Sequence, residues 1–290
     1  MNLDAFQGLL QPIIMGIMLG GLYAVIASGL SLVFGVMKLI NIAHGDFVIF
    51  GSYLALALVT TAGIDPLLGL LIVIPVMFGL GLLVEKVLIS RVTRISLEST
   101  LIVTFGLSII FQNYQQLVWS PLSRGLTPWY GLESFHLGVV TLPLVYVLDF
   151  VIGVAAILFL HMFLSKTYLG KAIRATSQDR TAAQMMGVNT KNVYIFAFAL
   201  AMAFAGIAGV FVGLTFPFTP NSGLSFLIIA FGVVILGRAG SIVGTLVGGL
   251  IFGLSQTLGS HFFGLSGQML AAYIIVLFIL AVRPQGILGR

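Results

Sequence analysis

The stretch that decides the fold runs from residue 192 to residue 215 and reads NVYIFAFALAMAFAGIAGVFVGLT. It holds one lone amide and no acid or base, and a helix of this length, at about 1.5 Å per residue, crosses the roughly 30 Å of hydrocarbon in a bilayer. Small residues recur four apart at Ala201, Ala205, Gly209 and Gly213. That spacing is typical of helices whose backbones pack closely in lipid, so the sequence predicts a transmembrane helix here. Glycine pairs with the same spacing predict close packing elsewhere in the chain: Gly16 and Gly20, Gly244 and Gly248, and Gly249 and Gly253.

Composition extends this interpretation to the whole chain. Of 290 residues, 59% are hydrophobic and only 7% are charged, whereas soluble proteins carry roughly 25% charged residues. Backbone polar groups in lipid must be satisfied within the protein, so long apolar runs indicate helices. The absence of cysteine excludes a disulfide framework and thiolate metal sites. We therefore expect an all-α membrane protein, a polytopic transmembrane helix bundle.

The apolar runs predict about nine spans, within a range of roughly 8–10. They cover residues 9–36, 44–62, 67–84, 99–119, 139–163, 192–215, 224–237, 242–260 and 268–282. The span at 224–237 is short, so a re-entrant segment is the alternative there. No linker and no stretch of different amino-acid composition interrupts the chain, so residues 1–290 are expected to form a single transmembrane domain.

Lysine and arginine predict the orientation, because cationic loops stay in the cytoplasm. With the N-terminus outside and the C-terminus inside, the cytoplasmic gaps are 37–43, 85–98, 164–191, 238–241 and 283–290. These gaps hold all but one of the 13 Lys and Arg residues, the exception being Arg124. The opposite orientation would invert this asymmetry.

The longest polar gap, residues 164–191, is the most informative stretch outside the spans. Its pattern predicts a helix from Lys171 to Met186, which Gly187 ends as the first residue past the helix. A short helix of this kind docks into a groove on a soluble partner or lies on anionic lipid. The pattern alone leaves both interpretations open.

A second polar segment, MKLINIAHGD at residues 37–46, joins the first two spans. Asn41, His44 and Asp46 are expected at a membrane edge, where Gly45 permits a break. Ionisable groups at membrane depth indicate a pathway or gate. The same side chains also serve as caps for helix ends, and this structural role is the one that the pattern favours.

The fourth span carries a run of amides, Gln112, Asn113, Gln115 and Gln116. Amides in lipid usually bond a neighbouring helix, although they also line polar conduits. The candidate residues for a pathway or gate are Asn41, His44, Asp46, Gln112 and Asn113.

Catalytic interpretations find little support in the sequence. Residues 264–267, GLSG, match the Gly-x-Ser-Gly string of rhomboid-type intramembrane proteases. Such a serine needs a histidine base on a later helix, and all four histidines precede Ser266. No Walker A string is present. We expect no catalytic residue, cofactor or metal site in this chain, and if ATP powers it, another chain binds the nucleotide.

Four segments, in order along the chain, carry a resemblance to a known family. They are Gly21 to Ala24 leading into Ile40 to Asp46; Leu107 to Tyr114; Gly170 to Ala175 with Asp179, Ala183, Gly187, Val188 and Asn189; and Pro284 to Arg290. Together they resemble the LivH-type permeases of branched-chain amino-acid ABC importers. Each segment alone is a weak match, but the four in order are highly specific.

The resemblance implies a function and partners. It implies a multi-pass permease subunit that translocates leucine, isoleucine and valine across the bacterial inner membrane, powered by partner ATPases. The implied partners are a second related permease subunit, two cytoplasmic ATP-binding subunits and a periplasmic substrate-binding protein, with membrane lipid around them and no nucleic acid. Segment 164–191 becomes the coupling loop to the ATPase, with Gly170, Lys171, Arg174, Asp179, Ala183 and Gly187 as its coupling residues.

One stretch departs from the family pattern. Where the family often reads LGGxGSxxG, residues 236–244 read LGRAGSIVG, so Arg238 replaces a glycine at an expected tight turn. The departure leaves the substrate subgroup open, because relatives move urea or short amides with a similar plan. A urea or short-chain amide permease is therefore the alternative, and a stand-alone carrier or channel is the rival from another class.

Overall fold

The computed structural model describes residues 3–93, 96–138 and 140–288. Its helices are α1 (Leu3–Met37), α2 (His44–Ala62), α3 (Pro66–Val84), α4 (Ser90–Val92), α5 (Leu97–Trp119), α6 (Leu144–Lys166), α7 (Tyr168–Gln178), α8 (Arg180–Met185), α9 (Thr190–Thr215), α10 (Gly223–Gly237), α11 (Ile242–Phe263) and α12 (Gly267–Val282). A π-helical turn, Glu85–Ile89, joins α3 to α4, and 3-10 turns lie at Trp129–Leu132 and Pro220–Ser222. Arg94 and Arg290, two of the cations predicted for the inner gaps, lie outside the described residues.

The structure is a polytopic helical bundle, as predicted. Among the described residues, eight helices are long and apolar enough to cross a membrane, and α12 is a shorter apolar helix of 16 residues. Most predicted spans agree with these helices to within a few residues. The span predicted at 139–163 starts too early, because α6 begins only at Leu144.

A small β-hairpin occupies the start of that predicted span. Strands β1 (Ser134–Leu137) and β2 (Val140–Pro143) pair antiparallel. The predicted all-α class therefore holds for the bundle, and the hairpin is a short addition that the sequence did not predict. The tip of the hairpin is anchored to α1, where Gln11 Oε1 accepts a hydrogen bond from the Thr141 N–H at 2.9 Å.

Helix α9 is the central helix of the bundle. In its most apolar stretch 78% of the residues are buried, against 22% for α5. Its small residues meet neighbouring backbones, as the four-residue spacing predicts. The carbonyl of Gly209 accepts a hydrogen bond from Ser52 of α2 at 2.6 Å, and the carbonyl of Ala201 lies against Gly29 of α1.

Helices α1 and α11 pack through two facing pairs of glycines. A Cβ atom on Gly20 would lie 2.7 Å from Cα of Leu250, and one on Gly253 would lie 2.7 Å from Cα of Gly20. Gly16 and Gly249 make similarly close backbone contacts. No larger residue fits at these positions, so the glycine ridges predicted on both helices are confirmed as a packing surface.

The cationic gaps gather at one end of the bundle. The cations that line shared cavities at that end are Lys38, Arg174 and Arg238 in one, and Lys86, Arg91, Arg180 and Lys191 in two others. Arg124 lies beyond the far end of α9, where its N–H donates to the carbonyl of Phe218 at 2.9 Å. The structure therefore shows the charge asymmetry on which the predicted orientation rests.

Candidate functional site

Two helices begin inside the bundle rather than at its surface. His44, the first residue of α2, donates from Nε2 to the carbonyl oxygen of Ile26 at 2.8 Å. Ile26 lies about 16 Å along α1 from its end at Met37. Helix α10 begins at Gly223, in contact with Asp46. The expectation that the polar residues of segment 37–46 lie at a membrane edge is therefore wrong, because residues 38–43 lead the chain back into the bundle.

Glycines allow these two helix starts to meet. A Cβ atom on Gly45 would overlap the carbonyl oxygen of Gly223 and lie 2.9 Å from the backbone nitrogen of Leu227. A Cβ atom on Gly223 would overlap the carboxylate of Asp46. The N-terminus of a helix carries a partial positive charge, so two such termini lie together beside one carboxylate. We call this meeting point of residues 41–46, 108–116 and 219–223 the junction.

Asp46 is the centre of the junction and is only 2% exposed. Its Oδ1 accepts a hydrogen bond from Nε2 of Gln112 at 3.0 Å, and its backbone carbonyl accepts one from Nε2 of Gln115 at 3.2 Å. Gln112 also donates to Ser108 at 3.2 Å. These contacts bond α5 to the start of α2.

A further amide pair lies at the rim of the junction. Gln116 donates from Nε2 to Oδ1 of Asn221 at 2.9 Å, and Asn221 itself is exposed. Asn113 is also exposed, and its amide donates to the carbonyl of Ile109 in its own helix at 2.8 Å. The structure thus brings Gln112 into the junction and leaves Asn113 on the outer surface.

Asn41 shapes the turn that precedes α2. Its Oδ1 accepts a hydrogen bond from the Ala43 N–H at 3.1 Å, and the residue is fully buried. Within the part of the chain that the structure describes, Nδ2 of Asn41 and Nδ1 of His44 have no hydrogen-bond partner. Buried polar atoms are normally paired, so the junction retains unused polar capacity in its interior.

Two components of the junction escaped prediction. Asn221 and Gly223 lie in a stretch whose sequence indicates only a helix-breaking connection between two spans. The available signal was the order Pro220-Asn221-Ser222-Gly223 directly before an apolar run, which is typical of a helix start. Nothing in that order indicates that the start lies beside Asp46.

The inner segment 164–191 folds as two helices rather than the single predicted one. Helix α7 ends at Gln178, and Asp179 caps α8 by accepting from the N–H groups of Thr181 at 2.8 Å and Ala182 at 3.0 Å. An aspartate in this position starts a new helix. The prediction of one continuous helix to Met186 is therefore wrong.

The end of this segment agrees with the sequence. Gly187 has a φ of 82°, and its N–H donates to the carbonyl of Gln184 at 3.0 Å while that of Val188 donates to Ala183 at 3.0 Å. This pair of bonds is a Schellman motif. The prediction that Gly187 ends the helix is confirmed.

Close contacts fix α7 to the end of α6. A Cβ atom on Gly170 would overlap the carbonyl oxygen of Phe163, and Arg174 donates to Ser165 at 3.4 Å. Lys171 and Asp179 are exposed, whereas Ala183 is buried. The six predicted coupling residues are therefore divided between packing positions and the outer surface.

Three large apolar side chains of the same segment are exposed. Tyr168, Met185 and Met186 are 81%, 82% and 84% exposed. They belong to the cationic end of the bundle, next to the exposed basic residues Lys171 and Arg180. Exposed apolar side chains in a polar segment indicate an interaction site.

Comparison with known proteins identifies the family. The family described as branched-chain amino acid transport system / permease component matches residues 13–282. The chain belongs to this permease family. No solved structure matches it.

Named relatives cover nearly all of this permease. The high-affinity branched-chain amino acid transport system permease protein BraD of Pseudomonas aeruginosa is 30% identical, over 97% of this chain and 96% of BraD. LivH of Escherichia coli, a permease of the same description, is 30% identical over 99% of this chain and 97% of LivH. LivM of E. coli is 25% identical over 92% of this chain and 68% of LivM. The resemblance to LivH-type permeases is confirmed, and these relatives are transport proteins rather than enzymes.

Helix α5 of the permease is the least buried of the eight long helices that the structure describes, with 22% of its most apolar stretch buried. Its strongest polar attachments run through Gln112, Gln115 and Gln116 to the junction. Its opposite side is apolar and exposed, with Ile102 at 72%, Ile110 at 63% and Leu117 at 87%. A helix held by a few hydrogen bonds moves at lower cost than one held by a large buried area.

Proposed function

We propose that this chain is one of two permease subunits of an ATP-driven importer that carries leucine, isoleucine and valine across a bacterial inner membrane. Its N-terminus lies outside, and its cationic end faces two ATP-binding subunits in the cytoplasm. A periplasmic binding protein delivers substrate at the other end. The function of BraD and LivH as branched-chain amino acid permeases supports the substrate class, and the relative LivM supports a second, related permease.

The junction is the observation that carries this proposal. Broken helices whose N-termini meet within the membrane bind the carboxylate of a substrate in many transporters. Here the Asp46 carboxylate lies beside the first residue of α10, so the junction is closed. A zwitterionic amino acid brings both a carboxylate for the helix starts and an ammonium group for Asp46. Binding therefore replaces the contacts that hold the junction shut.

Opening the junction requires α5 to separate from α2. This separation breaks the contact between Gln112 and Asp46 and the amide pair Gln116–Asn221 at the rim. The exposed apolar side of α5 offers the second permease a surface on which to pack. The path lies between the two subunits, bordered by Asn221 with Asn41 and His44 behind Asp46. Of the residues first proposed for the path, Asn113 is left out because its amide bonds only within its own helix.

The role of the gate is tested by two neighbouring substitutions in α5. Gln112→Leu removes the amide donor that helps to close the junction on Asp46. Alternating access requires the junction to close in each cycle, so we expect uptake of labelled leucine to fall by at least about tenfold, as the loss of a hydrogen bond to a charged group predicts. Asn113→Leu is the matched control, since its amide bonds only to its own helix. Equal uptake by both variants would remove Gln112 from the gate.

Coupling is proposed to run through the apolar patch of Tyr168, Met185 and Met186. An ATP-binding subunit would cover this patch, with Arg174 and Asp179 fixing the two helices that present it and Gly187 ending the second. Exposed methionines adapt to the surface of a partner. The patch and the basic side chains around it thus form one docking surface.

Co-purification tests the docking surface. Met185→Gln with Met186→Gln removes two exposed apolar side chains without disturbing the bundle, so we expect the permease to remain in the membrane and to lose its ATPase partner. Leu265→Gln, which changes a residue that is 83% exposed near the opposite end, is the control. Retention of the ATPase by the double variant would place coupling elsewhere.

One observation favours the alternative substrate class. The rim of the junction carries carboxamides, and these form paired hydrogen bonds with urea or short amides. Uptake of labelled leucine and labelled urea by cells that lack this gene, with and without ATP depletion, distinguishes the two. Loss of urea uptake alone would transfer the protein to the amide subgroup.

A stand-alone carrier is the rival from another class. It requires buried carboxyl groups along a path, and Asp46, Glu85 and Asp149 are each at most 2% exposed. Asp46 lies deep in the bundle, contrary to its expected place at a membrane edge. The three are nevertheless separated, because Asp149 bonds to Thr215 and Glu85 faces the cavity of Lys191. Uptake that persists without ATP would favour this rival.

A further inference from the structure

A polar cavity of about 540 Å³ lies at the cationic end of the bundle, between α1, α6, α7 and the turn from α10 to α11. Its lining contains Lys38, Arg174, Arg238 and His161, with the hydroxyls of Ser165 and Ser241. None of its described lining residues is an aspartate or glutamate. Three side chains with permanent positive charge thus share one cavity without an acidic partner in it. We call it the basic cavity.

Two of these cations occupy backbone conformations that suit glycine. Lys38 has a φ of 55° and Arg238 a φ of 84°. Among the non-glycine residues that the structure describes, only Ser120 shares a positive φ with them. A glycine adopts such angles without strain, so a side chain at these positions is maintained against a local cost. Both side chains line the same cavity, which indicates that the positive charge has a role in that cavity.

The turn that carries Arg238 is held from two sides. Towards α1, a Cβ atom on Gly35 would lie 2.6 Å from Cα of Gly240, and Ser31 accepts a hydrogen bond from the Gly240 N–H at 3.2 Å. Towards the C-terminal segment, Ile287 donates to the carbonyl of Leu236 at 2.9 Å. The backbone below Arg238 is therefore preorganised, as a binding site requires.

We propose that the basic cavity binds a phosphate group, carried either by an anionic lipid headgroup or by a free phosphate compound. A guanidinium group presents a fork of N–H donors that matches phosphate oxygens, and an ammonium group adds a point charge. The two serine hydroxyls supply further donors. The volume lies within the roughly 300–1,000 Å³ of small-molecule sites, so the cavity has room for a headgroup or a small phosphate compound.

A phosphate in this position would connect three parts of the permease. Arg174 belongs to the proposed coupling segment, Lys38 follows α1, and Arg238 lies between α10 and α11. One ligand shared by these side chains would hold α7 against the bundle. This consequence rests on the proposed function, whereas binding itself does not.

Binding is tested on the purified full-length permease with two probes. Native mass spectrometry in detergent compares retention of phosphatidylglycerol with that of phosphatidylcholine, and calorimetry measures affinity for inorganic phosphate. Lys38→Gly with Arg238→Gly removes two charges and relieves two strained backbones. Lys86→Ala with Arg91→Ala removes two cations from the same end of the bundle but outside the basic cavity, and is the matched control.

We expect the glycine double variant to bind its anion about tenfold more weakly for each charge removed, since a hydrogen bond to a charged group is worth at least one tenfold step in affinity. Its midpoint of thermal unfolding should stay level or rise, which separates loss of binding from loss of fold. Arg238→Lys keeps the charge but loses the fork of donors, so it should bind more tightly than Arg238→Gly and more weakly than the wild type.

The results with the two probes identify the molecule that carries the phosphate. Selective retention of phosphatidylglycerol that the glycine variant loses assigns the site to a lipid headgroup, whereas binding of inorganic phosphate without lipid selectivity assigns it to a free phosphate compound. The proposal is overturned if the wild type binds neither probe, or if the control variant loses as much binding as the glycine variant.

Discussion

The contact between Gly45 and Gly223 makes a quantitative prediction. In Gly45→Ala the new methyl group would lie 2.8 Å from the carbonyl carbon of Gly223 and 2.9 Å from the nitrogen of Leu227. Ordinary contacts between such atoms begin at about 3.5 Å, so α2 and α10 must separate by at least roughly half an ångström. Both obstacles are backbone atoms, which no change of rotamer can move.

The cost follows from the way this junction is packed. Overpacking a close contact costs about 1–3 kcal/mol. In a membrane the new methyl group gains little in return, because lipid is as apolar as the protein interior. Separation also lengthens the hydrogen bond of 3.0 Å between Gln112 and Asp46. We therefore expect Gly45→Ala to destabilise the permease by about 1–3 kcal/mol and to reduce uptake.

A matched substitution isolates the effect of the contact. Gly106 lies in α5 with no atom within 4 Å of its Cβ position, so Gly106→Ala should be neutral or stabilise the helix by up to about 1 kcal/mol. The assay is thermal unfolding of both variants in the same detergent, followed by leucine uptake in cells. Should Gly45→Ala unfold at the same temperature as Gly106→Ala, the close approach of α2 and α10 would be refuted.

Three further predictions concern the two ends of the bundle. Asp179→Ala loses both hydrogen bonds that start α8, at a cost of about 1 kcal/mol. It should therefore recover less ATPase on co-purification, whereas Asp179→Asn keeps the cap and should behave as wild type; equal recovery would contradict the coupling role. Burial, and then the neighbouring Asp65 carboxylate, raise the pKa of Tyr130, so its stabilising contribution is complete below about pH 10 and is lost as the pH rises further. Between about pH 8 and about pH 11, the midpoint temperature of unfolding should thus fall further for wild type than for Tyr130→Phe. Equal falls in the two proteins would show that Tyr130 does not contribute to this pH dependence. Because the chain lacks cysteine, Thr181→Cys should react with a membrane-impermeant reagent only from the cytoplasm and Ser123→Cys only from outside; the reverse pattern would invert the proposed orientation.

Local patterns predicted the features of this permease that depend on neighbours in sequence. The apolar runs gave the positions of the spans, because crossing lipid constrains each helix separately. The small-residue spacing on α1 and α11 placed Gly16 and Gly253 on packing surfaces, and the structure pairs these surfaces. Gly187 was recognisable as a helix end because a positive φ favours glycine.

Features that depend on distant residues were not predictable in this way. Asn41 and Asp46 suit a turn at the membrane surface as well as a helix start inside the bundle, and only the contact of His44 with Ile26 decides between them. Nothing near Asn221 indicates its partner Gln116, which is 105 residues away. The hairpin at 134–143 was missed because its strands have four residues each, too few to show a reliable alternation.

The break after Asp179 has a different explanation. Residues 171–186 carry a helical pattern throughout, and Asp179 was assigned a place within it. An aspartate is compatible with the interior of an exposed helix, yet its side chain competes for backbone N–H groups and favours the start of a new helix. In the structure Asp179 accepts from the N–H groups of Thr181 and Ala182, so the second of the two conformations forms.

The depth of the junction also imposes an order of events on biosynthesis. Asp46 is made 66 residues before Gln112 and much earlier than Gly223, so α2 enters the membrane with a carboxylate that has no fixed donor. An unpaired carboxylate at membrane depth costs at least about 2.5 kcal/mol. Asp46 therefore gains its donors only once α5 has entered the membrane. A translation product interrupted before Gln112 carries an unpaired carboxylate in lipid, by which membrane quality-control systems can distinguish it from the finished permease.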